Sequence, residues 1–307
     1  MDFHHIPVML NECLNGLNID PAGIYVDGTA GGAGHSAEIA KRLKTGRLIA
    51  IDKDPTAIEA VRRRLLPYSA TVIAGDFKDI RSILDSLHIP AVNGVLLDVG
   101  VSSHQLDSAE RGFSYSHDAP LDMRMTREGF SAKDLLNTYS ADELTRVFRD
   151  YGEEKFARRI AANICEAREQ EPLETTFSLV EMIRRSIPAA KRRTGGHPAK
   201  RVFQAIRIEV NGELSALETG VPAAFERLNH GGRLAVITFH SLEDRIVKRI
   251  FQGLCTGCTC PPDFPICVCG KKPKAKLVNR KPILAGGDEI RENSRSKSAK
   301  LRVIERI

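Results

Sequence analysis

Over the first hundred residues, short apolar runs alternate with stripes of apolar residues at helical spacing. Residues 24–26 form an apolar run closing on Asp27, and residues 48–51 form another closing on Asp52. Between them Ala37, Ile39, Ala40 and Leu43 recur at helical spacing, which predicts strand, helix, strand. Ala57, Ile58, Val61, Leu65 and Leu66 then mark an amphipathic helix that Pro67 ends. A third strand is expected over 71–74, a helix around Ile80, Ile83, Leu84 and Leu87, and a fourth strand over 92–99 with Asp98 near its end. Four strands alternating with helices predict an α/β fold with a parallel sheet.

From Asp107 to about Arg201 the pattern changes. Leu135, Leu136, Leu144, Val147, Phe148, Phe156, Ile160 and Ile164 follow helical periods with no strand run, which predicts an inserted all-helical domain. The alternation resumes with a helix over 204–228, a strand over 233–239 and a helix over 242–251. A C-terminal strand near 301–304 closes the sheet. The expected division is thus a core first part at 1–106, a helical insertion at 107–201 and a core second part at 202–307.

A chain of 307 residues has room for one large core or two modest ones. No apolar run approaches the ~20 residues of a membrane span. The first seven residues hold an acid and two histidines rather than a basic, apolar leader, so a cytoplasmic protein without a membrane partner is expected. Seven cysteines, an odd number, argue against a disulfide framework.

The net charge of +6 is unevenly placed. Residues 270–307 carry twelve Lys or Arg against four acids. Residues 182–208 carry eight basic residues (Arg184, Arg185, Lys191, Arg192, Arg193, Lys200, Arg201 and Arg207) and no acid. Such segregation points to a polyanion, since each neutralised phosphate releases counterions. Solvated basic loops give the same pattern, and charge alone leaves both readings open.

Candidate chemistry gathers at the strand ends, where open parallel sheets bind ligands. After Asp27 come Gly28, Gly31, Gly32 and Gly34, which leave backbone free for close approach of a ligand. Asp52 is placed to accept bonds from ribose hydroxyls. No G-x-G-x-x-G register exists among these glycines, so the arrangement suits S-adenosylmethionine, which has no phosphates, over a nicotinamide dinucleotide. Asp76 and Phe77 could bracket an adenine by a polar contact and an apolar face, although Asp76 is as readily a plain loop residue. His240 follows the fifth strand.

Asp98, Ser102, Ser103, His104 and Gln105 bring a carboxylate, hydroxyls, an imidazole and an amide to the fourth strand's end. An exocyclic amine is a poor nucleophile, and acceptors such as Asp98 and a Ser hydroxyl would hold its N–H bonds and ease proton loss. The same serines equally suit a helix cap. Cys255, Cys258, Cys260, Cys267 and Cys269 have the spacing C-x2-C-x-C-x6-C-x-C. Cys255, Cys258, Cys267 and Cys269 could hold a structural zinc, and a reduced, proline-stiffened loop is the other reading.

Longer matches carry a family resemblance that runs nearly end to end. They include residues 5–12, the glycine segment to His35, and residues 98–106, 111–115, 120–125, 197–207, 211–214, 239–245 and 293–303. The chain resembles the bacterial 16S ribosomal RNA cytosine-N4 methyltransferases, the small-subunit methyltransferase H family, also called MraW. That resemblance implies a Rossmann-like S-adenosylmethionine-dependent methyltransferase sheet. It also implies methyl transfer to N4 of one cytidine of 16S ribosomal RNA in the small ribosomal subunit, near the decoding centre.

The donor-binding positions it implies are Ala33, Gly34, His35, Asp52, Phe77, Asp98 and Gln105. Asp98, Ser102, Ser103 and His240 are the catalytic candidates. Asp122 and Arg124 would lie near the target base, and Arg201 would meet RNA phosphates. Glu243 and Asp244 are site residues or first-turn helix residues favoured by the dipole. The resemblance implies no catalytic metal. Two alternatives stand beside it: a DNA amino-methyltransferase, whose usual Pro-Pro-aromatic motif Asp98-Val-Gly-Val lacks, and a non-catalytic ribosome-assembly factor.

Overall fold

In the computed structural model, which describes residues 7–192, 197–260, 266 and 268–307, eight strands form one mixed sheet. They are β1 (Ile24–Asp27), β2 (Arg47–Asp52), β3 (Ala70–Ala74), β4 (Val92–Asp98), β5 (Leu228–Thr238), β6 (Ala275–Leu277), β7 (Ile283–Leu284) and β8 (Lys300–Arg306). Their order is β3-β2-β1-β4-β5-β8-β6, with β7 also paired to β8. The first five strands are parallel, and β8 runs antiparallel to β5, β6 and β7.

The unbroken apolar runs of these strands reflect burial on both faces. Tyr25, Leu48, Ala50, Leu96, Ala235 and Ile237 share a core with residues of α1 (Leu10–Leu17), α2 (Gly34–Ala40) and α3 (Pro55–Leu65). The alternate positions Val26, Ile49, Ile51, Val95, Leu97, Leu234 and Val236 pack with α4 (Ile80–Ser86), α12 (Glu213–Glu226) and α13 (Ser241–Cys255). Strand order reverses between β1 and β4, and the crevice of such a sheet opens at that reversal. The tips of β1 and β4 are tied together there: Gly28 N donates to Leu96 O at 2.9 Å and Asp98 N to Thr29 Oγ1 at 2.6 Å.

The chain divides into two units, 1–100 with 214–307, and 101–213. In the second, α6 (Ala132–Thr138), α7 (Ala141–Asp150), α8 (Ala157–Arg168), α9 (Thr176–Ser186) and α11 (Lys200–Asn211) enclose Leu135, Leu144, Phe148, Ile160, Ile183 and Ile206, all fully buried. α5 (Ser103–Asp107) and α10 (Ala189–Arg192) complete its helices among the described residues. Ser131, Ser140 and Thr175 open α6, α7 and α9 with reciprocal capping boxes to Asp134, Glu143 and Ser178.

The expected boundaries at 107 and 201 fall instead at 101 and 213. Val202, Phe203 and Ile206 of α11 belong to the helical core, which draws that helix into the second unit. The single helix expected over 204–228 is two, because Gly212 adopts φ +59°, a left-handed cap that stops α11. β6 and β7 were not legible in the sequence, being three and two residues long. The C-terminal strand, expected to close the sheet, lies inside it between β5 and β6. Among the described residues no helix is long and apolar enough to cross a membrane.

One member of the basic run is structural. Arg207 makes a bidentate pair with Glu213, Nε to Oε1 at 2.7 Å and an Nη to Oε2 at 2.9 Å, with side chains only 16% and 7% exposed. Arg207→Ala leaves the Glu213 carboxylate buried without this partner. The expected loss is about 3 kcal/mol, seen as a lower urea midpoint for the helical unit, with affinity for RNA unchanged at temperatures where the variant is folded.

Candidate functional site

The sheet's strand ends carry three carboxylates. Asp27, 1% exposed, accepts from Ser36 Oγ at 2.6 Å and from Thr29 N at 3.1 Å, so it holds the turn that follows β1. Burial pushes its carboxyl up to about 6 despite these bonds. Asp52 accepts from Gly31 N at 2.7 Å and Asp54 N at 2.8 Å, latching the glycine turn to the end of β2. Its carboxyl also rises to about 6, chiefly through burial. Each carboxylate oxygen keeps a second lone pair, so the latch still accepts a ligand hydroxyl.

Asp98 is the most perturbed of the three. Its carboxyl is pushed up to about 8, first by loss of hydration and then by the charges of Asp27 and Glu243. Oδ1 is buried and has no hydrogen-bond partner among the described residues, while Oδ2 stands 3.7 Å from His35 Nδ1. The side chain as a whole is 24% exposed, so solvent reaches one edge of it. His35 Nε2 lies 2.9 Å from Val8 O. A carbonyl only accepts, so Nε2 carries a proton, and Nδ1 is the ring nitrogen that faces Asp98.

The glycine turn is shaped by fit and by strain. A methyl at Gly28 would stand 2.5 Å from Leu97 Cδ2, so this position needs glycine for the close approach of β1 to β4. Ala33 is fully buried in a left-handed conformation at φ +57°, a strained state at the entrance to α2. Gly34 and His35 begin α2 behind it. Phe77, partly buried, lies between Gly28 and Gly220, where added methyls would stand 3.0 and 2.5 Å from it. Asp76 caps the short turn at Phe77 by accepting from Lys78 N and pairs with Lys53 at 3.6 Å, the plain loop reading.

After β5, His240 is the N-cap of α13, and its Nδ1 accepts from Glu243 N at 3.4 Å. Glu243, 1% exposed, accepts from Phe239 N at 2.7 Å and His240 N at 3.1 Å. Its other oxygen lies 3.0 Å from His240 Nε2 without hydrogen-bond alignment. Asp244 pairs with Arg302 at 2.7 Å and Lys300 at 3.2 Å. Both acids therefore act on the fold, Glu243 as a cap and Asp244 as an ion pair.

In the helical unit, Ser102 is the N-cap of α5. Its Oγ accepts from Gln105 N at 3.2 Å while Gln105 Oε1 accepts from Ser102 N at 3.0 Å. Helix capping, the alternative read from the serines, is thus Ser102's place. Ser103 is the first helical residue and His104 the second. Asp122 and Arg124 are paired with one another: Asp122 Oδ1 accepts from Arg124 Nε at 3.0 Å and Oδ2 from an Arg124 Nη at 2.7 Å. Asn211 fixes the same segment by accepting from Met125 N and donating to Met123 O, each at 2.8 Å. Exposed Arg201 donates to Glu153 O at 3.1 Å. The side chains of Arg192 and Arg193 lie outside the described residues.

Sequence reasoning missed two features. Thr29, which joins the β1 and β4 tips, has no motif to mark it. Tyr115 and His197 stack with centroids 4.3 Å apart and planes 5° from parallel, beside Phe177 and Arg184 in an open cleft of the helical unit. Both residues lie in segments quoted above for their family likeness, but nothing local signalled that they meet. Cys258, Cys260 and Cys269 come together, with Cys260 in the place expected of Cys255. Cys255 is partly buried in the last turn of α13, and Cys267 lies outside the described residues.

The model of the MraW methylase family matches residues 2–307. A protein of Lachnospira eligens named ribosomal RNA small subunit methyltransferase H is 57% identical over 100% of this chain and 99% of its own length. Proteins of the same name from Ruminiclostridium cellulolyticum and Symbiobacterium thermophilum are each 54% identical over 100% of this chain, and over 100% and 98% of their own lengths.

Proposed function

The chain belongs to the MraW methylase family, and from that premise we propose that it transfers a methyl group from S-adenosylmethionine to the N4 amine of one cytidine in 16S ribosomal RNA, near the decoding centre of the small subunit. The observation that carries this reading is Asp98, with one buried oxygen that has no partner among the described residues and a carboxyl pushed up to about 8 beside Asp27. Acids crowded at a strand-end crevice suit a cationic ligand. Bound S-adenosylmethionine supplies an electrophilic methyl on a sulfonium.

Asp52 accepts from the donor's ribose hydroxyls while holding the Gly31 turn. Ala33, Gly34 and His35 form the wall of that turn, and Phe77 offers an apolar surface to the adenine. In the transfer the N4–C bond forms as the S–C bond breaks. N4 then gives up a proton, and the ionised Asp98 is the acceptor placed for it. Positioning by Asp98 supplies the larger share, because the N4 lone pair is delocalised and has to be held in line. His240 shapes the β5 turn by its cap. Ser102, Ser103 and Gln105 set the course of the chain after Asp98 by opening α5.

RNA recognition falls to the helical unit. Arg201 and Lys200 are exposed, Arg124 is braced by Asp122, and the Tyr115–His197 stack offers a face of the kind on which unpaired bases settle. Arg201→Ala should weaken RNA binding uniformly across sequences and reduce the slope of log affinity against log salt by about 1. An unchanged slope would remove Arg201 from the interface. The assay that tests the whole reading offers labelled donor with small ribosomal subunits, free 16S RNA and DNA. Label in subunits or their RNA supports it. Label in DNA alone, or donor binding without transfer to any of the three, contradicts it.

A further inference from the structure

The chain between α13 and β6, residues 256–274, leaves the sheet and returns through a narrow neck. Lys274 N donates to Leu254 O at 2.8 Å, and Gly257 packs against Pro273 so closely that an added methyl would stand 3.1 Å from its ring. Beyond it, among the described residues, Ile266 and Val268 are each 74% exposed. Apolar side chains as exposed as these contribute little core, so another tie is needed to hold the two limbs in one conformation.

Just past the neck, Cys258 and Cys260 on the outgoing limb meet Cys269 on the returning limb, with all three sulfurs within 4.8 Å of one another. Cys258 and Cys269 sulfurs are 3.7 Å apart. A disulfide would bring them to about 2.05 Å. Tetrahedral Zn–S bonds of about 2.3 Å set ligand sulfurs roughly 3.8 Å apart. Cysteines on an iron–sulfur cluster stand further apart, because each binds a different iron. Backbone N–H groups of Val268 and Cys269 are directed at Cys260 Sγ.

We propose that Cys258, Cys260 and Cys269 bind one structural Zn²⁺ ion that staples the two limbs of this connection. The three thiols lose their protons on binding, and the ion closes the loop. Closure holds Ile266 and Val268 outward beside the exposed Lys271, Lys272 and Lys274.

The test uses the full chain, expressed with zinc in the medium and purified without chelator or metal-affinity tag. Elemental analysis should find close to one zinc per chain, falling by about tenfold or more in Cys258→Ser, Cys260→Ser and Cys269→Ser but not in Cys165→Ser. Cobalt exchanged into the wild-type chain should give thiolate charge-transfer absorption, a readout that needs no variant to fold. Chelation should speed proteolysis within residues 256–274 of the wild-type chain. The proposal is overturned if the wild-type chain holds no more zinc than the triple-serine variant, or if peptide mapping finds Cys258 and Cys269 joined as a disulfide in metal-free chain.

Discussion

Asp98→Asn should lower methyl transfer by about 100- to 1000-fold, the cost of removing one preorganised acceptor at a reacting centre, while the protein remains folded. Two further readouts separate this from general damage. Asp98 is raised from an ordinary 3.8 to about 8 in the folded chain, so the folded state holds a proton that the unfolded state releases. Its contribution to stability is full below about 3.8 and is lost as pH rises through about 8. Asparagine mimics the protonated form, and the variant should therefore match or exceed the wild type in thermal stability at alkaline pH while remaining nearly inactive.

The second readout is donor against product. A sulfonium is a cation, whereas the thioether of S-adenosylhomocysteine is neutral. An ionised Asp98 should therefore favour the donor, by roughly fivefold for a pair worth ~1 kcal/mol, and the preference should grow as pH rises toward 8 and vanish in Asp98→Asn. Isothermal titration of both ligands across pH 6–9, taking ~1 unit as a tenfold change in ionised fraction, measures it. Equal affinities at all pH values would remove Asp98 from the sulfonium's surroundings.

Asp52→Ala should raise the donor's KM by about 100-fold, from two charge-assisted hydroxyl bonds at roughly 1.5 kcal/mol each, with kcat at saturating donor changed far less. Loss of binding shared by ground and transition states has this signature. The substitution also frees Gly31 N and Asp54 N, which Asp52 now accepts at 2.7 and 2.8 Å. Gly31 N and Asp54 N donate to different oxygens of Asp52, so Asp52→Asn keeps an acceptor for one of them and should fall between the wild type and Asp52→Ala. Donor affinity should also weaken below pH 6 in the wild type, as a carboxyl raised to about 6 takes up its proton. A kcat loss as large as the KM rise would place Asp52 in the chemistry rather than in donor binding.

The alternating half of the fold was legible because burial on both faces of β1, β2 and β4 forces apolar runs that end where the chain turns to the crevice. Asp27, Asp52 and Asp98 stand out for that reason. The division of labour among polar residues was less legible, because capping and catalysis draw on the same side chains. Ser102, His240 and Glu243 close helix N-termini, and Asp122 is paired with Arg124. Arg207 looked like one more member of a basic run, and only its bidentate contact with Glu213, beyond the end of that run, separates it from exposed Arg201. Gly212 was invisible as a helix break because apolar periodicity continues across it into α12.

The product nucleoside tests the central claim most directly. Small ribosomal subunits lacking the modification are incubated with the enzyme and labelled S-adenosylmethionine, and their RNA is digested to nucleosides and resolved by mass spectrometry. The account predicts label in N4-methylcytidine, close to one per subunit, and almost none with Asp98→Asn. Label in a ring-carbon or ribose methylated nucleoside, or equal label with Asp98→Asn, would contradict it.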